Sequence, residues 1–381
     1  MNSDGGVART HGTAEVCDAC LRRTLLLGVL APRIQAVLDS RSRNPRSVLA
    51  LDDADLLAAV GGDRRAAEAF LGEFDAEVWR TRLAEGGAQA VCRHSRAYPT
   101  RLLQLTDAPA ALFLIGDVAR VLPLVARGPL VAVVGTRRPS PYGLEMATEL
   151  GRGLAAAGVT VVSGLALGID AAAHAGCLAG GGTTVAVLGG GSDVPYPRTN
   201  ERVYDQIATQ GLLMSEMPPG QRPFRWSFPA RNRIMAGLCD ATVVVEAARS
   251  SGSLITTDFA GDLGRVVAAV PGHATSVGAR GSNELLRSGA AVINRPEDVL
   301  DEIFGARLDE QLPAARVEPV GLEAEEQAVL YGVERELAID GICEAVELPV
   351  HRVRGVLARL EDAGHVRRDG FGGYIRRAKG L

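Results

Sequence analysis

The chain has 381 residues, 47% of them apolar, and a formal net charge of −4, enough for two to three domains and a core that needs no disulfide or metal staples. It holds no run of about 18 apolar residues, which argues against a membrane span, and MNSDGGVART at its start lacks a signal-peptide layout, so a cytoplasmic protein is expected. Of 41 basic residues one, Lys379, is lysine; a Walker A loop, a Schiff-base lysine and a kinase-type strand lysine are thereby removed.

Residues 1–13 read as a loose tail. Residues 14–85 read as a helical domain of the SAM or helix-hairpin-helix kind, its short helices broken at Pro32, at Asn44-Pro45 and at Gly61-Gly62. The six cysteines are scattered. Cys17 and Cys20 make one C-x-x-C, but with no second pair or Cys/His cluster to complete a zinc site they are expected to be ordinary helix residues.

Residues 86–304 carry a different rhythm. Short β-branched runs at 130–135, 159–164, 183–191, 212–216, 241–247, 266–272 and 290–294 alternate with helical stretches. Continuous rather than alternating apolar runs mark strands buried on both faces. The fold class is therefore α/β, a doubly wound, Rossmann-like, mostly parallel sheet. Residues 305–320 read as a linker. Residues 321–381 give helices at 322–335, 338–346 and 349–363 and a hairpin around Gly370, Gly372 and Gly373, a small winged-helix-like domain.

The sheet does not read as a dinucleotide site. The G-x-G-x-x-A match at Gly151, Gly153 and Ala156 falls inside the helix after the first strand, not at the strand-to-helix turn. No G-x-S-x-G elbow or H-E-x-x-H motif occurs. His174 is expected to be a packed helix residue.

The turns at the strands' carboxyl ends, where open α/β sheets bind ligands, carry the informative residues. Gly135-Thr136-Arg137-Arg138-Pro139-Ser140-Pro141-Tyr142-Gly143 offers two guanidiniums, a hydroxyl and an aromatic. In Ser163-Gly164-Leu165-Ala166-Leu167-Gly168-Ile169-Asp170 the glycines would let backbone N–H groups reach an anion, though they fit plain tight turns equally well. Phe228-Pro229-Ala230-Arg231-Asn232-Arg233 reads as a helix start with Pro229 as first residue. Arg231 and Arg233 would then sit in its first turn, where each cation costs about 0.3–1 kcal/mol, so a negative ligand is expected. Tyr196, Arg198 and Asn200 follow the third strand, and Ser251, Gly252, Ser253 and Thr256 the fifth. Asp170, Asp193 and Glu246 are the main acids, and Asp170 also reads as a helix cap. The chain has 16 aromatics (8 Phe, 6 Tyr, 2 Trp), yet Tyr142, Tyr196, Phe224, Trp226 and Phe228 gather in these turns. Stacked bases with arginine-held phosphates fit that pattern.

The blocks VAVVGTRRPSPYG, SGLALGIDAAAH, TTVAVLGGGSDVPYPRTN, SEMPPG, FPARNRIMAGL, VVVEAARSSGSLITT and AVPG, in this order over about residues 90–300, resemble the DNA-processing protein A (DprA, or Smf) family. The resemblance implies a protein that is not an enzyme; no cofactor or metal is expected. It would bind and protect single-stranded DNA and load the RecA recombinase during natural transformation, as a homodimer through the Rossmann domain. The family's phosphate pocket maps here onto the GTRR turn, the SGLALGID turn, Arg198 and the RNR segment; together with the other residues read from the turns, the expected nucleic-acid-binding set is Gly135, Thr136, Arg137, Arg138, Ser140, Tyr142, Gly143, Ser163, Gly164, Ala166, Gly168, Asp170, Arg198, Asn200, Phe228, Arg231, Asn232, Arg233, Ser251, Gly252, Ser253 and Thr256.

Two other readings remain. One is a nucleoside-monophosphate phosphoribohydrolase on a similar sheet, for which Asp258 would replace the glutamate of the usual loop. The other places DNA binding in the C-terminal domain. There residues 351–381 hold eight basic against three acidic side chains, with Arg352, Arg354 and Arg359 on the third helix and Arg367, Arg368, Arg376 and Arg377 near the hairpin.

Overall fold

The computed structural model describes residues 16–41, 48–61, 64–305, 324–334, 337–363, 365–368 and 374–376. They fall into two compact units divided after Pro313. The tail at 1–13, the linker at 305–320 beyond Gly305, the breaks at Asn44-Pro45 and Gly62 and the hairpin turn at Gly370, Gly372 and Gly373 lie outside the described residues.

The first unit is built on a nine-stranded sheet in the order β1-β2-β6-β5-β4-β3-β7-β8-β9. Its strands are β1 (Gln89–Cys92), β2 (Ala111–Gly116), β3 (Leu130–Val134), β4 (Thr160–Ser163), β5 (Thr184–Leu188), β6 (Leu212–Ser215), β7 (Ala241–Val244), β8 (Val266–Ala269) and β9 (Ala291–Val292). The seven expected runs became β3 to β9, all mutually parallel. In β3, Leu130, Ala132 and Val134 enter one core cluster while Val131 and Val133 enter another on the opposite face. Both faces of the pleat are apolar, as the continuous run requires.

β1 and β2 extend the sheet as an antiparallel pair, β2 joining β6 antiparallel. Neither strand was expected. The order reverses between β4-β3 and β7, so the switch point of the winding lies at the carboxyl ends of β3 and β7.

The N-terminal helices pack onto this sheet within the same unit. The helix Asp18–Arg41 runs straight through Pro32, where a break was expected. It buries Leu26, Leu30, Ala31 and Ile34 with Met217 and Trp226, and Leu21 and Leu25 with Phe113. That packing outweighs the roughly 3 kcal/mol that an interior proline costs a helix.

The environment of Cys17 and Cys20 also differs from expectation. Cys92, at the end of β1, and His94 bring their ligand atoms beside both thiols, all four atoms lying within 4.8 Å of one another. A Cys/His cluster therefore does accompany the C-x-x-C, its partners coming from about 75 residues away in the chain.

Two buried polar groups fix the core. His174, on the helix Ile169–Ala179, places Nδ1 2.7 Å from Thr184 Oγ1. That hydroxyl donates its proton to Val161 O at 2.8 Å, so His174 Nδ1–H must be the donor to it. Burial, with Arg231 adding to it, pushes His174 down to about 3. Arg233, fully buried, stands 2.9 Å from Asp107 Oδ2 and 2.9 Å from Glu216 Oε2. It also donates to the Asp107 and Ala230 carbonyls at 2.9 and 3.0 Å.

The second unit has helices Ala324–Glu334, Ile339–Val346 and Val350–Asp362 and an antiparallel pair, Val366–Arg368 with Tyr374–Arg376. Val329, Val333, Ile342, Val353, Val356 and Leu360 form its core.

Two outcomes follow from these buried groups. Arg233→Ala strands two buried carboxylates and is expected to cost about 3–5 kcal/mol of unfolding free energy in denaturant melts; a change near zero would refute the pairing. Because His174 is neutral when folded, its contribution is present above the unfolded value of about 6.5 and lost as pH falls toward 3, by ~1.4 kcal/mol per pH unit. Stability of His174→Asn measured across that window should lose that part of the slope.

Candidate nucleic-acid interface

The site is assembled at the switch point. The turn after β3 is anchored to the end of β7: Thr136 N donates to Glu246 O at 2.7 Å, and Ser140 N and Oγ each donate to Glu246 Oε2 at 2.9 Å. Ser140 Oγ also accepts from Gly143 N at 3.1 Å and caps the helix Pro141–Ala156. A side chain on Gly135 would strike Ile169 Cγ1 at 2.6 Å, and one on Gly143 would strike the Glu246 carboxylate. These contacts fix the turn and leave Arg137 and Arg138 exposed at its tip.

The turn after β4 does not present its amides to a ligand. Gly164 N and Ala166 N donate to Asp170 Oδ2 at 3.1 and 3.3 Å. The anion expected there is the chain's own carboxylate. Gly168, at φ 81°, closes the turn, and Asn200 Nδ2 donates to Leu165 O and Ala166 O at 3.0 and 3.1 Å. Gly164 is glycine because the Arg231 guanidinium occupies the space of its Cβ. That guanidinium donates to the Gly164 and Val187 carbonyls and lies 3.6 Å from Asp170 Oδ2. Burial pushes the Asp170 carboxyl up, opposed by the Arg231 charge and the two amides.

The helix expected to begin at Pro229 spans Ser227–Leu238. Arg231 and Arg233 therefore lie beyond its first turn, and the dipole argument for a ligand opposite them does not hold. Arg231 forms part of the floor of the cleft, while Arg233 points away from it, neutralised by Asp107 and Glu216.

What the turns enclose is a cleft of about 660 Å³. Of the expected residues it is lined by Gly135, Thr136, Arg137, Arg138, Ala166, Asp170, Phe228, Arg231, Asn232, Ser251, Gly252, Ser253 and Thr256. Its charged lining is four arginines, Arg137, Arg138, Arg225 and Arg231, against Asp170. The Arg137 guanidinium carbon stands 5.3 Å from the Phe228 ring centre, and Tyr196 lies 5.5 Å from the same ring. Gly252 has open space where a Cβ would be, and Ser251 and Ser253 share a 2.7 Å hydroxyl contact.

The other expected residues lie outside this lining. Ser163 Oγ donates to Val133 O at 2.6 Å and Tyr142 Oη to Pro271 O at 3.1 Å. Ser140, Gly143, Gly164, Gly168 and Asn200 shape the turns, Arg233 is in the core, and Arg198 is exposed on the short helical turn Arg198–Asn200. Trp226 is core too, its Nε1 donating to Ala31 O at 3.2 Å. Arg225 is the cleft residue that sequence reading missed; its signal was a basic side chain between Phe224 and Trp226.

The three acids at this edge are all engaged by backbone amides. Asp170 and Glu246 are bound as above, and Asp193 accepts from Gly220 N at 2.8 Å. Asp258 is exposed on the helix Leu254–Asp262 and is not among the lining residues. The site is thus rich in anion-binding donors while its carboxylates are committed to holding turns.

Among known proteins, the family model described as DNA recombination-mediator protein A matches residues 89–304. The DNA processing protein DprA of Streptococcus pneumoniae is 43% identical over 205 residues, 54% of this chain and 71% of that protein. The X-ray structure of DprA from the same organism superposes with a TM-score of 0.59 at 33% identity, covering 76% of this chain and 99% of that one. DNA processing protein A of Helicobacter pylori, whose structure concerns its single-stranded DNA binding mode, superposes with a TM-score of 0.51 at 30% identity over 57% of this chain and 95% of that one. The matched span contains the whole sheet and every turn that lines the cleft, and the chain belongs to the DNA recombination-mediator protein A family, the DprA/Smf proteins.

Proposed function

We propose that the switch-point cleft binds the sugar-phosphate backbone of single-stranded DNA. Through it the protein would protect incoming strands and load RecA onto them during natural transformation. The observation that carries this reading is the Arg137–Phe228–Tyr196 stack in a cleft lined by four arginines and one aspartate. Arg137, Arg138 and Arg225 take phosphates, the open Gly252 backbone between Ser251 and Ser253 takes another, and Phe228 with Tyr196 offers ring faces to bases. The single-stranded DNA binding of the Helicobacter pylori relative supports it. The RecA partner and a homodimer through the sheet domain come from the family resemblance and belong to the same proposal.

The phosphoribohydrolase reading is disfavoured because Asp258 lies outside the cleft lining, and DNA binding by the C-terminal unit because two of its candidate arginines are paired with acids. Arg352 meets Glu325 at 2.6 Å and Arg359 meets Glu326 at 2.9 Å. Arg367, Arg368 and Arg376 lie on the two strands, and Arg377 falls outside the described residues.

Fluorescence anisotropy with a labelled single strand and its duplex, at several salt concentrations, tests the cleft. Arg137→Ala with Arg138→Ala should weaken single-strand binding about tenfold or more and reduce the slope of log K against log salt by about 1.4, two phosphates' worth. Removal of residues 318–381 should change it less; the reverse ranking would move the site to the C-terminal unit. Phe228→Ala should cost about 1–3 kcal/mol of binding with the salt slope retained. Gly164→Ala, which displaces the Arg231 guanidinium, should weaken binding several-fold, again at unchanged slope. RecA filament formation on strands coated with single-strand-binding protein should quicken with the wild type and not with the double arginine variant.

A further inference from the structure

We propose that Cys17, Cys20, Cys92 and His94 bind one structural zinc ion that clamps the N-terminal helix to the edge of the sheet. The four residues come from two short segments. Cys17 directly precedes the helix Asp18–Arg41 and Cys20 lies in its first turn, while Cys92 ends β1 and His94 follows it by two residues. The pattern is C-x₂-C with C-x-H, two close pairs contributed by separate elements, which is how structural zinc sites gather their ligands.

The donor atoms already converge. His94 Nδ1 lies 3.4 Å from Cys17 Sγ and 3.3 Å from Cys20 Sγ. Cys17 N donates to Cys92 Sγ at 3.4 Å, and all four ligand atoms fall within 4.8 Å of one another. With Zn–S near 2.3 Å and Zn–N near 2.0–2.1 Å, a tetrahedron has donor-to-donor edges of about 3.5–3.8 Å. Shifts of about 1 Å or less therefore complete the sphere. The three thiols are unbridged; each one that is protonated gives up its proton on binding, so zinc affinity rises with pH. Three thiolates, one neutral imidazole and Zn²⁺ leave a net charge of −1, which the neighbouring Arg93 opposes.

The surroundings fit a structural rather than a catalytic ion. Cys20 and Cys92 are buried and pack with Ala110 and Ala111. Four protein ligands leave no open coordination position. The switch-point cleft is built from other residues, none of them a member of this cluster. The clamp would join helix and edge strand across 75 residues of chain, where the antiparallel β1–β2 pair closes the sheet.

Full-length protein, expressed with zinc in the medium, purified under reducing conditions and passed over a desalting column, is analysed by metal mass spectrometry. About one zinc per chain is expected, released by a mercurial reagent and replaceable by Co²⁺ with the thiolate charge-transfer and visible bands of a tetrahedral site. Cys92→Ser and His94→Ala should lose most of the bound metal, and Cys343→Ser, in the other unit, should keep it. The wild type should also melt several degrees lower after zinc is stripped. Since a cysteine variant could simply misfold, the wild-type cobalt spectrum stands as an independent reading. Protein that holds no zinc after incubation with excess Zn²⁺ and desalting, a cobalt spectrum without thiolate bands, or metal retained by both ligand variants would overturn the proposal.

Discussion

The Arg231 guanidinium is the strut on which the cleft rests. It sits in space that exists because residue 164 has no side chain, and it joins the carboxyl ends of β4 and β5 by donating to Gly164 O and Val187 O. Its charge is answered by Asp170, whose carboxylate in turn holds the amides of Gly164 and Ala166. Removing one partner of such a buried pair leaves the other uncompensated, a penalty of about 3–5 kcal/mol. The turn after β4 is thereby tied to this floor and meets the turn that carries Arg137 and Arg138 through Ile169 N donating to Thr136 O at 3.3 Å.

That arrangement divides the arginines by burial. Arg231 and Arg233 are enclosed and spent on carboxylates and carbonyls, whereas Arg137, Arg138 and Arg225 stay exposed. In the proposed binding mode a polyanion would meet the second group alone. The chain as a whole is acidic, at −4, so attraction of a strand to the proposed site would come from the local excess in the cleft rather than from a general basic field, and would fall with salt according to the few phosphates neutralised.

Much of this was legible in sequence. Continuous β-branched runs gave seven of the nine sheet strands, because parallel strands buried on both faces write their burial directly into composition. The turns that carry Arg137 and Ser251 lie at strand carboxyl ends, as the alternation of runs implies for a doubly wound sheet. The failures share a cause: a partner far away in the chain. Pro32 looks like a helix break until Trp226 and Met217 are packed against that helix. Arg233 looks like a ligand for DNA until Asp107 and Glu216 arrive from other loops. The C-x-x-C looks solitary because Cys92 ends, and His94 follows, a strand that the apolar pattern does not mark. The glycines of SGLALG invited an anion site, yet the Arg231 guanidinium fills the space beside Gly164 and the Asp170 carboxylate takes the Gly164 and Ala166 amides.

The near absence of lysine acquires a physical meaning once these roles are separated. At a fully enclosed position such as 233, a lysine would be driven toward its neutral form by burial, while a guanidinium stays charged and spreads its donors over several acceptors. Arg233 uses that spread on Asp107, Glu216 and Ala230 together. At the cleft the same flat, weakly hydrated group does something an ammonium does less well: it lies over the Phe228 ring while its edge remains free for a phosphate. An Arg137→Lys exchange keeps the charge and gives up both the stack and the bidentate geometry. On the proposed reading the cleft would select not charge alone but a planar donor array, which the composition of the chain supplies at every basic position in the site.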